Sequence, residues 1–491
     1  MLIGGKCMYL DELLEGIDYT CLQGDEHTLV TDLVYDSRKA GKDSVFVCII
    51  GTVSDGHDYI PQVIKKGATA IIIEKDIELP KDGTVIRVDN ARKALAFMSA
   101  AYFGYPASKL ITVGITGTKG KTTTAYMVKS ILENTGIKTG LIGTIETVIG
   151  DEVIPANNTT PESYIIQETF AKMVDAGIEC VVMEASSQGF LLNRTDGFIF
   201  DYGIFTNMGY DHIGTNEHKD FDDYLRCKSM LFRQCKVGLI NIDDKYAKDI
   251  MKDHTCKIET FGFSENADIY ATNVNLVHEP GYLGVSYQVR GLMNFDVDID
   301  IPGKFNVLNS LCAIAICRHF NVNENDIIKA LQHIKVRGRV ELVPGTENYS
   351  VMIDYAHNAM SLKSLLTTMR EYNPKRLICV FGCGGNRSKD RRFLMGEISS
   401  NMADLTVVTS DNPRFEEPED IINDIITGVK KGPGKYVKIT DRREAIKYCI
   451  DNAKEGDVII IAGKGHEDYQ EIRGIKHHMD DRELVLDALR P

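Results

Sequence analysis

The segment LITVGITGTKGKTTTAYMVKSILENTG at 110–136 constrains the chain more than any other. A compact apolar run enters a glycine-rich loop, and apolar residues at helical spacing follow it, the strand, loop and helix context of a phosphate loop. Gly117-Thr118-Lys119-Gly120-Lys121-Thr122 has the GK[ST] ending of the general motif, with Ile115 where that motif asks for its first glycine. Gly117 and Gly120 permit tight backbone paths, and N–H groups at the start of a helix suit phosphate oxygens. Lys121 adds a mobile positive charge and Thr122 a hydroxyl for magnesium. The expected fold is α/β and the expected ligand a nucleotide.

Two boundaries flank this region. GYPASKL reads as a turn and linker, giving a first domain at 1–109, a small α/β unit built from TLVTDLVYD, DSVFVCIIG and TAIIIE with the helix ARKALAFMSAAYFG. RGRVELVPG separates a second domain at 110–337 from a third at 338–491. In the second, GIECVVMEAS, GFIFDYGIFTNM and VGLINIDD read as strands of a mostly parallel sheet. DIYATNVNLV, YLGVSYQVRG and MNFDVDIDIPG alternate as half-exposed antiparallel strands do. In the third, SVMIDYAHN, RLICVFGCGG, DLTVVTSDNP and GDVIIIAGKG are apolar runs that end in Gly, Asp, Asn or His, as parallel strands with ligand-binding C-terminal ends do.

A chain of 491 residues is long enough for three cored domains. Its net charge of −14 argues against a general nucleic-acid or membrane binder, though a local basic pocket would be hidden in that total. No apolar run is long enough to span a membrane and the start MLIGGKCMYLDELLEG lacks the pattern of a signal peptide, so a cytoplasmic protein is expected. The 12 cysteines are dispersed and without a CxxC pair, and so read as small buried groups; Cys379 and Cys383 alone are a weak zinc signal.

Further motifs follow the loop in order. EASS at 184–187 puts Glu184 after an apolar run, and TNMGYDH at 206–212 puts Asp211 and His212 where a crevice could collect ligands. Together with GTKGKTT, NTTPES at 158–163, Asn193 and Arg194, KSMLF at 228–232, GKFNVLN at 303–309, GR at 338–339 and DYAHN at 354–358, the chain resembles the Mur ligase family. These ATP-dependent enzymes build the peptide of bacterial cell-wall precursors. YDSR at 35–38, GCGGNR at 382–387, SDNPR at 410–414 and AGKGHEDYQ at 462–470 resemble the members that add the third peptide residue. The resemblance implies a three-domain α/β architecture, with a central ATPase-like parallel sheet and a C-terminal domain of dinucleotide-binding type.

It also implies roles. Gly117, Thr118, Lys119, Gly120, Lys121, Thr122 and Thr123 would hold ATP phosphates, with Lys121 on the β and γ groups. Thr122, Glu184, His212 and a carbamylated Lys228 would serve Mg2+, and Asn309, Arg339, Asp354 and His357 the adenosine or phosphates. Ser37, Thr159, Thr160, Ser186 and Arg194 would contact the precursor UDP-N-acetylmuramoyl-L-alanyl-D-glutamate, although residues of these types also cap turns. Arg387, Asp411, Asn412, Pro413, Arg414, Gly463 and Glu467 would form the amino-acid pocket. Arg414 can pair bidentately with the distant carboxylate of meso-diaminopimelate, which L-lysine lacks, and Glu467 can receive the distant ammonium. The family commonly has DHLDxHG where this chain has DHIGTNEH at 211–218, and His where this chain has Gln188.

The reaction so implied phosphorylates the γ-carboxylate of D-glutamate with ATP, after which the amine of meso-diaminopimelate displaces phosphate. The same reaction with L-lysine is the alternative, followed by a folate polyglutamate ligase or an ATPase switch. A monomer that binds neither nucleic acid nor membrane is expected.

Overall fold

A computed structural model describes residues 7–52, 54–214, 217–279 and 281–490. The first six residues of the N-terminal reading, and Thr215 and Asn216 of DHIGTNEH, lie outside them. The chain forms two compact units, Met1–Asp268 with Cys312–Val322, and Ile269–Leu311 with Asn323–Pro491.

The first unit holds a two-stranded pair, Met8–Tyr9 with Leu29–Val30, and two larger sheets. The smaller of these two has the order Tyr19–Gln23, Thr84–Val88, Ala70–Ile73, Ser44–Val47, Asp32–Val34. Its last four strands are parallel and Tyr19–Gln23 is an antiparallel edge. Parallel strands are covered on both faces, so their sequences are continuously apolar. Here Val45, Val47, Ala70 and Ile72 enter one core, while Phe46, Ile71 and Ile73 enter the other. The expected strands are present; Tyr19–Gln23 and Thr84–Val88 add two for which no strand is expected from the sequence.

In the larger sheet Ile111–Thr116 lies between Cys180–Glu184 and Phe200–Phe205, parallel to both. Thr139–Ile142 continues it on one side, and Cys235–Asn241 and Lys257–Gly262 on the other. The strand ends at Thr116, Glu184 and Phe205 therefore deliver their following loops to one edge.

In the second unit Ile269–Glu279, Tyr282–Gly291 and Phe295–Ile299 form the expected antiparallel ribbon. A six-stranded sheet has the order Glu341–Leu342, Ser350–Asp354, Asp457–Ala462, Arg376–Phe381, Leu405–Val408, Lys435–Lys438. All but the first strand are parallel. The chain runs outward from Arg376–Phe381 and returns to insert Asp457–Ala462, which makes the switch of direction at which such sheets bind ligands. All twelve cysteines are free thiols, and Cys379 lies buried inside a strand. Among the described residues no helix is long and apolar enough to cross a membrane.

Candidate functional site

Lys121–Asn134 is the helix expected after the glycine loop, and its N-cap, Gly120, has φ 85°. A Cβ on Gly117 would stand 1.9 Å from Thr206 Oγ1, so only glycine lets the loop lie this close to the neighbouring strand end. Thr118 N–H donates to the Asn207 carbonyl (2.9 Å) and Lys119 N–H to Asn207 Oδ1 (2.9 Å), which fixes the loop before any ligand arrives. Lys121 Nζ donates to the carbonyls of Gly117 (2.9 Å) and Thr118 (3.2 Å).

Glu184 is buried at the end of its strand, 3.1 Å from Thr122 Oγ1. Thr144 donates to it through both N–H and Oγ1, each at 2.9 Å. Such a carboxylate with hydroxyl neighbours is a hard oxygen set that suits Mg2+, so Thr122 and Glu184 fit the ion. Lys228 is wholly buried; its Nζ donates to the same Gly117 carbonyl (2.8 Å) and lies 4.6 Å from the centre of the Tyr224 ring. Burial and then the Lys121 charge hold its ammonium well below the usual lysine range. As an ammonium Lys228 does not fit a metal ligand, whereas a neutral amine can attack carbon dioxide and become an anionic carbamate. His212 is half exposed at φ 55°, with Nδ1 3.2 Å from Glu217. His218, Asp223 and Cys227 also cluster, but Arg226 bonds Asp223 at 2.7 Å, a cation that disfavours a metal there.

Thr160 Oγ1 joins the Glu184 carbonyl (2.8 Å) and Ser186 Oγ (3.0 Å), while Thr159 Oγ1 meets Thr144 Oγ1 at 3.0 Å. Ser186 caps the short helix Ser187–Leu191. Arg194 Nη1 donates to the Thr160 carbonyl (3.0 Å), and its buried Nε bonds nothing among the described residues. Glu162 lies 3.7 Å from that Nε and 2.7 Å from Arg92 Nη1. Ser37 occupies the turn after Asp32–Val34, where Lys66 donates to its carbonyl (2.8 Å).

In the second unit the loops after four parallel strands carry most of the remaining candidates; Asn309 lies on a helix and Arg339 just before the strand Glu341–Leu342. Asp354 accepts from the N–H groups of Val340 (2.9 Å) and Ala356 (2.8 Å), and the Arg339 guanidinium stacks 4.9 Å from the Tyr355 ring centre. His357 Nδ1 is 2.8 Å from the Tyr355 carbonyl, and burial keeps the imidazole below its usual pKa. Asn309 is buried on the helix Lys304–Cys317, with Nδ2 2.9 Å from Asn306 Oδ1. Asp411 and Asn412 are buried; Asn412 Nδ2 donates to Glu467 (2.8 Å). Burial first, then the Asp411 charge, raise the Glu467 pKa, a bias toward the neutral acid that a bound ammonium would oppose. A Cβ on Gly463 would come 2.7 Å from Asp411 Oδ2. Pro413 precedes Arg414, whose Nη1 donates to the Gly385 carbonyl (2.8 Å), while Arg387 is exposed.

Several supporting residues escape the motif reading. Thr144 follows a parallel strand, a position that strand-end reasoning could have found. Lys464 is fully buried inside AGKGHEDYQ, bonded to Asn412 Oδ1 (3.3 Å) and to the Tyr469 carbonyl. Arg442 and Asp481 form a buried pair at 2.6 Å, from which Arg442 reaches the carbonyls of Ser410 and Ala462. Nothing in their local sequence marks that pair.

The chain matches the Mur ligase family, catalytic domain, over 30–103, the Mur ligase middle domain over 115–317 and the Mur ligase, glutamate ligase domain, over 338–465. It is 43% identical to the UDP-N-acetylmuramoyl-L-alanyl-D-glutamate–2,6-diaminopimelate ligase of Clostridium perfringens, over 98% of this chain and 99% of that protein. It is 42% identical, over 98% and 99%, to the enzyme of that name numbered 1 in Clostridium acetobutylicum. A solved structure of a UDP-N-acetylmuramoyl-L-alanyl-D-glutamate–2,6-diaminopimelate ligase superposes with TM-score 0.73 at 25% identity, over 99% of each chain. With similarity running the full length and the phosphate loop, Glu184 and the strand-end loops in place, the chain belongs to the Mur ligase family and has its three-domain α/β architecture.

Proposed function

We propose that the protein adds meso-diaminopimelate to the D-glutamate γ-carboxylate of UDP-N-acetylmuramoyl-L-alanyl-D-glutamate, using ATP and passing through an acyl phosphate. The observation that carries this reading is full-length similarity to ligases named for this substrate pair in a chain that also presents Arg414. The boundaries 1–109, 110–337 and 338–491 would divide the work into precursor binding, phosphate chemistry and amino-acid capture.

The carboxylate oxygen of the precursor is a poor leaving group, and phosphoryl transfer from ATP converts it to phosphate. The 117–120 backbone and Lys121 would hold the phosphate oxygens, with Lys121 exchanging loop carbonyls for the β and γ groups. Thr122, Glu184, His212 and a carbamylated Lys228 would hold Mg2+, which supplies positive charge against the transferring group when bound. Arg194, Thr159, Thr160 and Ser186 would orient the precursor, and Ser37 its uridine. Asn309, Arg339, Asp354 and His357 would hold the adenosine side of ATP. In the amino-acid pocket of Arg387, Asp411, Asn412, Pro413, Arg414, Gly463 and Glu467, Arg414 would take the distant carboxylate and Glu467 the distant ammonium. The free amine then attacks the acyl phosphate; phosphate leaves and the amide remains.

The test incubates the protein with ATP, Mg2+ and the UDP-muramoyl dipeptide, with meso-diaminopimelate, L-lysine or no amino acid. Product mass should rise by one meso-diaminopimelate residue, and sustained phosphate release should need both precursor and amino acid. Phosphate release indifferent to both would refute a ligase; a lysine adduct alone would reverse the substrate choice.

A further inference from the structure

Arg414 is held by more than its place in SDNPR. Its φ of 54° lies in the left-handed region that side chains disfavour, and its main chain is clamped there. Arg414 N–H donates to the Glu471 carbonyl (3.0 Å), and Arg473 N–H donates to the Arg414 carbonyl (2.7 Å). Glu471 opens no pocket motif. It lies on the hairpin Tyr469–Ile472 with Ile475–His478, which is fastened to the 410–414 loop by further bonds, among them Gln470 Nε2 to Ser410 Oγ (3.3 Å). Glu471 N–H donates to Asn412 Oδ1 (2.9 Å), and Gln470 Nε2 to the Asp411 carbonyl (2.7 Å).

The guanidinium is fixed on two of its edges. Arg414 Nε donates to Glu471 Oε2 (3.2 Å) and Nη1 to the Gly385 carbonyl (2.8 Å). A Cβ on Gly384 would approach Nη1 to 3.1 Å, and one on Gly385 would meet the Pro413 carbonyl at 1.9 Å, so the two glycines let the guanidinium lie against the backbone. Among the described residues Nη2 has no hydrogen-bond partner. Arg414 and Glu471 each keep about a quarter of their side-chain surface, 25% and 24%, so an incoming molecule can reach the pair. With Nε and one side of Nη1 engaged, the edge left to a ligand is the Nη1/Nη2 end.

Resting on the proposed function, we propose that Glu471 is a positioning residue for amino-acid selection: it fixes the Arg414 guanidinium so that its Nη1/Nη2 end meets the distant carboxylate of meso-diaminopimelate. A planar fork already oriented loses less conformational freedom when it binds a carboxylate than a free arginine does. Glu471 itself need not touch the substrate.

Steady-state kinetics of the whole enzyme, Glu471→Ala and Glu471→Gln test this. Glu471→Ala should raise the KM for meso-diaminopimelate roughly five- to tenfold, with kcat and the KM values for ATP and the precursor within about twofold of wild type. Glu471→Gln keeps an acceptor for Nε and should restore the KM to within about twofold of wild type. Any slow turnover of L-lysine, which has no distant carboxylate, should be indifferent to both changes. A meso-diaminopimelate KM that is unchanged or lowered in Glu471→Ala would overturn the inference alone, the lowered value showing that Glu471 competes with substrate. Failure of Glu471→Gln to rescue would also overturn it, and this variant keeps the test open if the alanine variant folds poorly. A wild-type enzyme that turns over L-lysine and fails to turn over meso-diaminopimelate would overturn the proposed function together with the inference.

Discussion

His466 shows how burial at one residue becomes a pH dependence. Burial, followed by the charges of Arg339 and Arg337, pushes its imidazole down to about 4, and Nδ1 has no hydrogen-bond partner among the described residues. In the unfolded chain a histidine titrates near about 6.5. Between these values the unfolded state binds the proton and the folded state does not, so stability must fall as pH drops from about 6.5 to about 4 and level off below. A His466→Asn variant should therefore show a shallower loss of melting temperature across that range, read by circular dichroism; an unchanged slope would refute the assignment. The sequence shows His466 within AGKGHEDYQ but not its burial, because the surrounding arginines come from residues more than a hundred positions away. For the same reason Lys121 and Glu184 can be picked out as candidates from their own short motifs, whereas Glu471 cannot. Its meaning comes from a hairpin folding back on Arg414.

Among the elements, the parallel strands were the most legible, since strands covered on both faces must be apolar throughout. Ser350–Asp354, Arg376–Phe381, Leu405–Val408 and Asp457–Ala462 all coincide with such runs, and their polar ends lie at one edge of the sheet. The Tyr19–Gln23 edge was illegible because an edge strand carries a mixed pattern that a loop can share. Also illegible was the buried tie from Arg442, the first residue of one helix, to Asp481, the first residue of another. That tie anchors both helix starts to the carbonyls behind the 410–414 and 463–467 loops. Asp481→Ala would leave a buried guanidinium without its counter-charge, a cost of about 3–5 kcal/mol. The melting midpoint should drop on the order of 10 °C. Replacing both residues by apolar groups of similar volume should recover much of the loss, since the pair's desolvation is then removed with its attraction. A midpoint unmoved by Asp481→Ala would show that the tie is dispensable.

For the whole molecule, a net charge of −14 describes the solvated surface and conceals the cations that matter to the anionic groups of three substrates. Lys121 and Arg194 sit in the first unit and Arg414 in the second, each embedded in its own bonds to backbone carbonyls. If the proposed division of labour along the chain holds, single truncations must separate kinetically. Arg194→Ala should raise the KM for the precursor at least about tenfold, and Arg414→Ala that for meso-diaminopimelate by a similar factor, each with little change in the other. Lys121→Ala should instead lower kcat by about 100- to 1000-fold, because its charge is needed most as the phosphoryl group transfers. The three parameters can be measured in one set of assays with two substrates saturating and the third varied. A variant that moved all three together would point to damaged folding, and interchange of the Arg194 and Arg414 effects would reverse the assignment of these two arginines to the precursor and the amino acid.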